Sequence, residues 1–256
     1  MSAAPDWFVH DEGKGRPILL LHGLPSPPAD MLALGRRLRG RILVPHLPGY
    51  GLSRTVSGPH SVSLIEDGLV RLLREREATD AVVVGYSMGA YRALSLALRT
   101  ELRISAMVLL SGFASLSTDE RAGLLAFAHA LRGGVDLRDQ APPRFLAPSF
   151  ASQPAQARAA SAWLDLAAPE VMAEELEDAA VAPGLEGRLG ELSCRVLVRT
   201  GELDLAVPVH HARALAASIR GAKLEIVPGV AHAQWIEDPN GTAAAVASFV
   251  DGTDHG

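Results

Sequence analysis

The feature that most restricts the fold of this 256-residue chain is the pentapeptide Gly85-Tyr86-Ser87-Met88-Gly89 together with its setting. It follows directly on the apolar run Ala81-Val82-Val83-Val84 and leads into a helix-forming stretch, Ala90–Leu98. A glycine-x-serine-x-glycine pattern between a strand and a helix predicts a sharp turn that holds the serine in a strained backbone conformation. The glycines two residues to either side leave room for neighbouring chain. The serine Oγ then projects above the sheet edge, where the positive N-terminal end of the helix favours developing negative charge.

Further short apolar runs support a sheet around this turn. Arg16–His22, Arg41–Val44, Ala106–Leu110, Arg195–Val198 and Lys223–Val227 read as strands. Four to six apolar residues without alternation are the pattern of strands covered on both faces, as in a parallel sheet. Helix-period segments lie between them. Over Ser63 to Glu77 the residues Ile65, Leu69, Leu72 and Leu73 share one face, and Ser63 with Glu66 predicts a capping box. The fold class is therefore α/β, a doubly wound, mostly parallel sheet.

One interval breaks the alternation. Residues 115–190 contain helix starts but no strand: Ser117 with Glu120, Ser152 with Pro154, and Pro169 before acidic residues. A segment of ~75 residues is too long for one crossover. It predicts a small helical cap inserted into a core made of residues 1–114 and 191–256.

Composition excludes several function classes. The chain carries 24 basic and 29 acidic residues, a formal charge of −5, without a dense Lys/Arg run, so no nucleic-acid partner or anionic membrane surface is expected. The single Cys194 has no disulfide partner and no cysteine companion for a zinc site. No apolar stretch approaches the ~18 residues of a membrane span, and Met1–Trp7 lacks a secretory pattern, so a cytoplasmic location is expected.

A serine hydroxyl needs a base to accept its proton. Of nine histidines, His232 lies just beyond the last strand, at the sheet edge where sites of open α/β folds gather. His10, His60 and His255 have polar neighbours and read as surface residues, and His129 falls within a cap helix. His210 and His211 sit at a helix start, where solvated or capping roles suffice. The acid that orients the imidazole is assigned to Asp204, after the Arg195–Val198 strand and before Pro208, with Glu202 its nearest competitor. The order Ser87, Asp204, His232 suits a sheet of this kind. An oxyanion needs two donors: the backbone N–H of Met88, and one from the loop His22-Gly23-Leu24-Pro25. Leu24 is the candidate, because Pro25 has no N–H. His22 reads as a residue that pins this loop.

The His22-Gly23 loop, Leu47-Pro-Gly-Tyr-Gly51, Gly85–Gly89, Gly201-Glu-Leu-Asp204 and His232 with Glu237 together resemble the α/β-hydrolase superfamily across nearly the whole chain. In proteins with this resemblance the segments carry the oxyanion loop, a structural turn, the nucleophile, the acid and the base. Two positions depart from the pattern: His46 stands where many relatives have Asp, and Ala90 where many have Gly. The first change bears on a structural hydrogen bond or brings an imidazole near the pocket. A serine nucleophile argues against epoxide hydrolases and haloalkane dehalogenases, which use aspartate there.

The resemblance implies a serine hydrolase that cleaves a small carboxylic ester or lactone, with no metal and no organic cofactor. A carbon–carbon bond hydrolase of β-diketone-like substrates and a hydrolase-like ligand-binding protein are the alternatives. Candidate substrate contacts are Pro25, His46, Tyr86, Phe113, Trp163 and Trp235. The cap aromatics Phe127, Phe145, Phe150 and Trp163 are candidates for an acyl pocket, with packing inside the cap the first expectation.

Overall fold

The structure is a computed structural model that describes residues 7–56, 61–78, 80–99 and 103–252. Its elements run β1 (Val9–Gly13), β2 (Pro17–Leu21), α1 (Pro28–Gly35), β3 (Arg41–Pro45), α2 (Val62–Glu75), β4 (Asp80–Tyr86), α3 (Met88–Ala97) and β5 (Arg103–Leu110). Then come α4 (Thr118–Arg132), α5 (Ala141–Phe145), α6 (Pro148–Ala151), α7 (Pro154–Ser161) and α8 (Pro169–Val181). The chain returns to the sheet through β6 (Arg195–Gly201), α9 (Val209–Ser218), β7 (Lys223–Val227), α10 (Gln234–Glu237) and α11 (Pro239–Asp251).

The seven strands form one sheet in the order β1-β3-β2-β4-β5-β6-β7, parallel except where β1 pairs antiparallel with β3. All six apolar runs form strands at the centre or far edge of this sheet. Ile18–Leu21, Val82–Val84 and Ala106–Leu110 are fully buried, as continuous apolar strands between two helical layers must be. The strand that sequence reasoning missed is β1, Val-His-Asp-Glu-Gly, which has no apolar run because it lies at an edge and is buried on neither face.

The amphipathic face of α2 is as expected: Ile65, Leu69, Leu72 and Leu73 are all buried. Its cap is not. Ser61 is the N-cap and accepts from Leu64 N–H, so the predicted Ser63–Glu66 box does not form, and Glu66 is buried against the core instead. The Ser117–Glu120 box does form, with both reciprocal hydrogen bonds. Pro169 opens α8 at its first position, whereas α7 begins at Pro154 with Gln153, not Ser152, before it.

Between β5 and β6 every described element is helical. Helices α4 and α8 pack side by side. Arg132 makes a bidentate ion pair with Glu177, and the Arg121 guanidinium donates to the Ala180 and Ala182 carbonyls at the C-terminal end of α8. A buried ion pair joins this layer to the core: Arg92 of α3 donates to Glu175 of α8 at 2.6 Å, and Tyr50 donates to the other carboxylate oxygen at 2.7 Å.

Candidate active site

Ser87 occupies the turn between β4 and α3 at φ 52° and ψ −119°, a left-handed conformation that costs a non-glycine residue on the order of 1–3 kcal/mol. The surroundings impose it. Ser87 N–H donates to Leu110 O at 2.9 Å, which keeps the turn attached to the end of β5. A Cβ on Gly89 would stand 2.3 Å from Leu21 O, so only glycine lets α3 start this close to β2. Met88 opens α3, and the first N–H groups of a helix have no intrahelical acceptor.

The His22–Pro25 loop runs against this turn. A Cβ on Gly23 would meet the Tyr86 ring at 2.8 Å and Ser87 Cβ at 3.0 Å, which sets Leu24 directly beyond the closest approach to the serine. His22 pins the loop as expected. Its Nδ1 lies 2.9 Å from Gly23 O and its Nε2 accepts from Leu47 N–H at 3.3 Å, an arrangement that fits a neutral ring with the proton on Nδ1. Complete burial pushes this imidazole down to about 3, so it stays uncharged. Pro25 is buried in the same loop, where Ser26 Oγ accepts from Gly23 N–H.

His232 and Asp204 meet from two adjacent loops at the carboxyl ends of β7 and β6. His232 Nδ1 lies 2.8 Å from Asp204 Oδ2, and the two side chains are 2% and 0% exposed. The other carboxylate oxygen accepts from the backbone N–H groups of Ala206 and Val207 at 2.9 and 2.8 Å. Asp204 is thus fixed by three donors. Its competitor Glu202 is exposed and accepts only a turn contact from Gly229 N–H.

A network absent from the sequence reading holds the His232 loop. Ser111 Oγ donates to His232 O at 3.1 Å and accepts from Gln234 Nε2 at 3.0 Å. Gln234 in turn binds the buried Arg199 guanidinium, which also reaches Thr242 and Asp238. The available signal for it is an arginine directly after the apolar run Val196–Val198, inside the same buried strand.

The other candidates fall into two groups. Tyr86 lies with its ring centroid 5.0 Å from that of His232 and 3.8 Å from that of Trp235, and Trp163 stacks on Trp235 at 6.2 Å. Phe145 of α5 reaches within 5.7 Å of the His232 ring. His46 and Phe113 do not join them. His46 packs between Phe8 and His10 at the β1–β3 edge, where its Nδ1 accepts from Leu52 N–H, and burial pushes its imidazole down to about 4. The departure from Asp at this position is thus met by a structural contact. His10, expected at the surface, is half-buried in that same stack. Phe113 stacks on Tyr91 and edges onto His211. His60 and His255 lie outside the described residues, and His129 is exposed on α4.

Two cavities adjoin the site from the helical side. One of about 700 Å³ lies between α4, α5 and residues 206–207, and includes Phe127 and Phe145 among its walls. The other, about 940 Å³, lies between α5, α7 and residues 202–205, and touches Asp204. Ser87 lines neither and is only 7% exposed. Among the described residues no helix is long and apolar enough to cross a membrane.

Residues 18–245 match the family described as "Alpha/beta hydrolase family". A putative carbamate hydrolase, RutD, from Caulobacter sp. (strain K31) is 28% identical over 87% of this chain and 84% of its own length. A thermophilic esterase from Thermogutta terrifontis, solved with malate bound, superposes with a TM-score of 0.87 at 25% identity, covering 96% of this chain and 93% of that one. The enol-lactonase from Burkholderia xenovorans LB400 shares the fold at a TM-score of 0.87 and 22% identity, over 98% and 99% of the two chains. The sheet order, the strained serine turn and the extent of the match agree that the chain belongs to the alpha/beta hydrolase family.

Proposed function

We propose that this protein is a serine hydrolase that cleaves small carboxylic esters or lactones through an acyl-enzyme. The observation that carries the reading is the buried 2.8 Å contact between His232 Nδ1 and Asp204 Oδ2 at the sheet edge that also bears the strained Ser87. In this reading Asp204 holds the Nδ1–H tautomer, which leaves Nε2 free as a base. Ser87 Oγ attacks the carbonyl carbon as its proton passes to His232 Nε2. The Met88 and Leu24 N–H groups receive the negative charge on the carbonyl oxygen. Collapse of the tetrahedral intermediate restores the carbonyl and breaks the bond between its carbon and the alkoxy oxygen, and His232 passes the proton to the departing alkoxide. Water attacks the acyl-enzyme by the same route and releases the acid.

The helices between β5 and β6 are proposed as the cap, residues 115–190. Phe145 contacts the His232 ring and also walls the 700 Å³ cavity, which gives an acyl group apolar room one ring away from the base. The esterase and the putative carbamate hydrolase among the relatives support acyl chemistry at a carbonyl bearing oxygen or nitrogen.

The test is intact-mass analysis after treatment with a fluorophosphonate. One adduct per chain, mapped to Ser87 and abolished in Ser87→Ala, is the expected result. Esters, lactones, carbamates and a β-diketone then rank the substrate classes. Folded protein that takes no adduct and turns over none of the four overturns the proposal in favour of a ligand-binding role.

A further inference from the structure

Sequence reading gave His210 and His211 only solvated or capping roles and expected no metal. The structure brings both of them to Glu120, across the junction between α4 and α9. Glu120 Oε1 lies 2.7 Å from His211 Nε2 and 3.8 Å from His210 Nε2. One donor atom from each of the three residues falls within 4.8 Å of the other two. Consecutive helical residues ordinarily point about 100° apart. Here the two imidazoles lie with centroids 4.1 Å apart and only 35° between their planes, both turned to the same carboxylate.

We propose that Glu120, His210 and His211 form a binding site for a divalent transition metal of the zinc class. Two imidazoles and one carboxylate are a donor set that suits zinc, with bonds near 2.0–2.2 Å and ligand atoms a little over 3 Å apart around a tetrahedral ion. The observed separations of 2.7 and 3.8 Å to Glu120 bracket that spacing, and all three donor atoms lie within 4.8 Å, so closure needs a modest movement of the ligands towards one centre. The more exposed His210 ring, at 66%, is free to make it.

The ligands are supported from behind. The second oxygen of Glu120 accepts from Ser117 N–H at 2.7 Å in the capping box, which fixes the carboxylate's orientation. His211, only 9% exposed, is held edge-on to Phe113. Three protein ligands leave one tetrahedral position open to water.

The position in the fold gives the metal a consequence. Glu120 stands on the first turn of the inserted helices, His210 and His211 on a core helix, and Glu120 and His211 both line the 700 Å³ cavity. A bound ion would join the inserted segment to the core at the cavity wall. The serine chemistry does not require it.

The experiment is calorimetric titration of chelator-treated protein with zinc chloride, in parallel with thermal unfolding. The variants are His210→Ala, at an exposed position, and Glu120→Gln, which preserves the capping box because Gln serves that position as well. One zinc per wild-type chain, a raised Tm in its presence, and loss of both in each variant support the site. Removal of a ligand should weaken binding by at least ~10–100-fold, the loss seen even for an outer partner. Wild-type protein that binds no zinc, or variants that bind it as wild type does, overturn the proposal. The cluster is then a hydrogen bond between two helices and nothing more.

Discussion

The carboxylate of Glu237 accepts from the backbone N–H of Ala147 at 3.3 Å, although 90 residues separate them in sequence. The same group accepts from Ala231 N–H at 3.2 Å, one residue before His232. One side chain therefore ties the proposed base to the inserted helices. Glu237→Ala leaves two backbone donors without their acceptor, at about 1–3 kcal/mol for each that stays dry. Lower stability in urea unfolding and slower fluorophosphonate labelling of Ser87 are both expected. Unchanged labelling would mean that the loop holds His232 without this tie.

Asp30 provides a pH test. It accepts from the Trp235 indole N–H at 3.0 Å, and burial pushes its carboxyl up to about 6 from an ordinary 3.8. The folded chain therefore keeps a proton that the unfolded chain has lost between these two values. Stability contributed by Asp30 falls as pH rises through that window, and the full penalty applies above about 6. Asp30→Asn retains the acceptor and removes the penalty. The variant should gain stability over wild type near pH 8, by at most about 3 kcal/mol, and gain little near pH 4. Equal gains at the two pH values would contradict this account.

Two glycine substitutions separate folding from catalysis. Gly89→Ala places a methyl against the Leu21 and His22 carbonyls at 2.3 and 2.7 Å, buried backbone at and just beyond the end of β2, and should cost several kcal/mol in unfolding measurements. Gly23→Ala meets the buried Tyr86 ring at 2.8 Å and Ser87 Cβ at 3.0 Å, so the His22–Pro25 loop must move away from the serine turn. It should cost less stability than Gly89→Ala, which meets backbone, and lower kcat on the order of 10²–10³, the loss of one oxyanion donor. A Gly23→Ala enzyme with full kcat would remove Leu24 from the mechanism.

The Arg92–Glu175 pair is 1% exposed on each side, and Arg92 Nε and Nη1 are buried with no hydrogen-bond partner among the described residues. Glu175→Ala strands a buried cation and should cost about 3–5 kcal/mol. Arg92→Met combined with Glu175→Leu should recover most of that loss. A thermodynamic cycle over the single and double variants measures the coupling directly.

The sequence carried the sheet well because burial on both faces writes itself as uninterrupted Val, Leu and Ile, as at Val82–Val84. It carried the triad candidates because each follows a strand at the edge where the loops gather. What it concealed depends on contacts between distant segments. Strand β1 pairs through its backbone and needs no apolar side chains. Ser61 and Ser63 are both plausible caps on paper, and only the burial of Glu66 against the core separates them. His211 reads as an ordinary helix residue until α4 is folded over it. Arg199 and Gln234, 35 positions apart, look like polar intrusions until they bind each other beneath the His232 loop.

The inserted helices leave the sheet at the end of β5 and return at the start of β6, and these two strands are direct neighbours, paired from Ala106 with Arg195 to Leu110 with Arg199. The register of the sheet is thus set independently of what lies between. Doubling the length of such an excursion costs only about 0.6 kcal/mol in closure entropy. Shortening, lengthening or exchanging the segment would therefore leave the strand scaffold and its serine turn standing, provided that partners are found for Arg92 and for the Ala233 amide, which donates to Phe145 O at 3.1 Å. Substrate preference in a chain built this way can diverge at one splice point while the reacting atoms stay where they are.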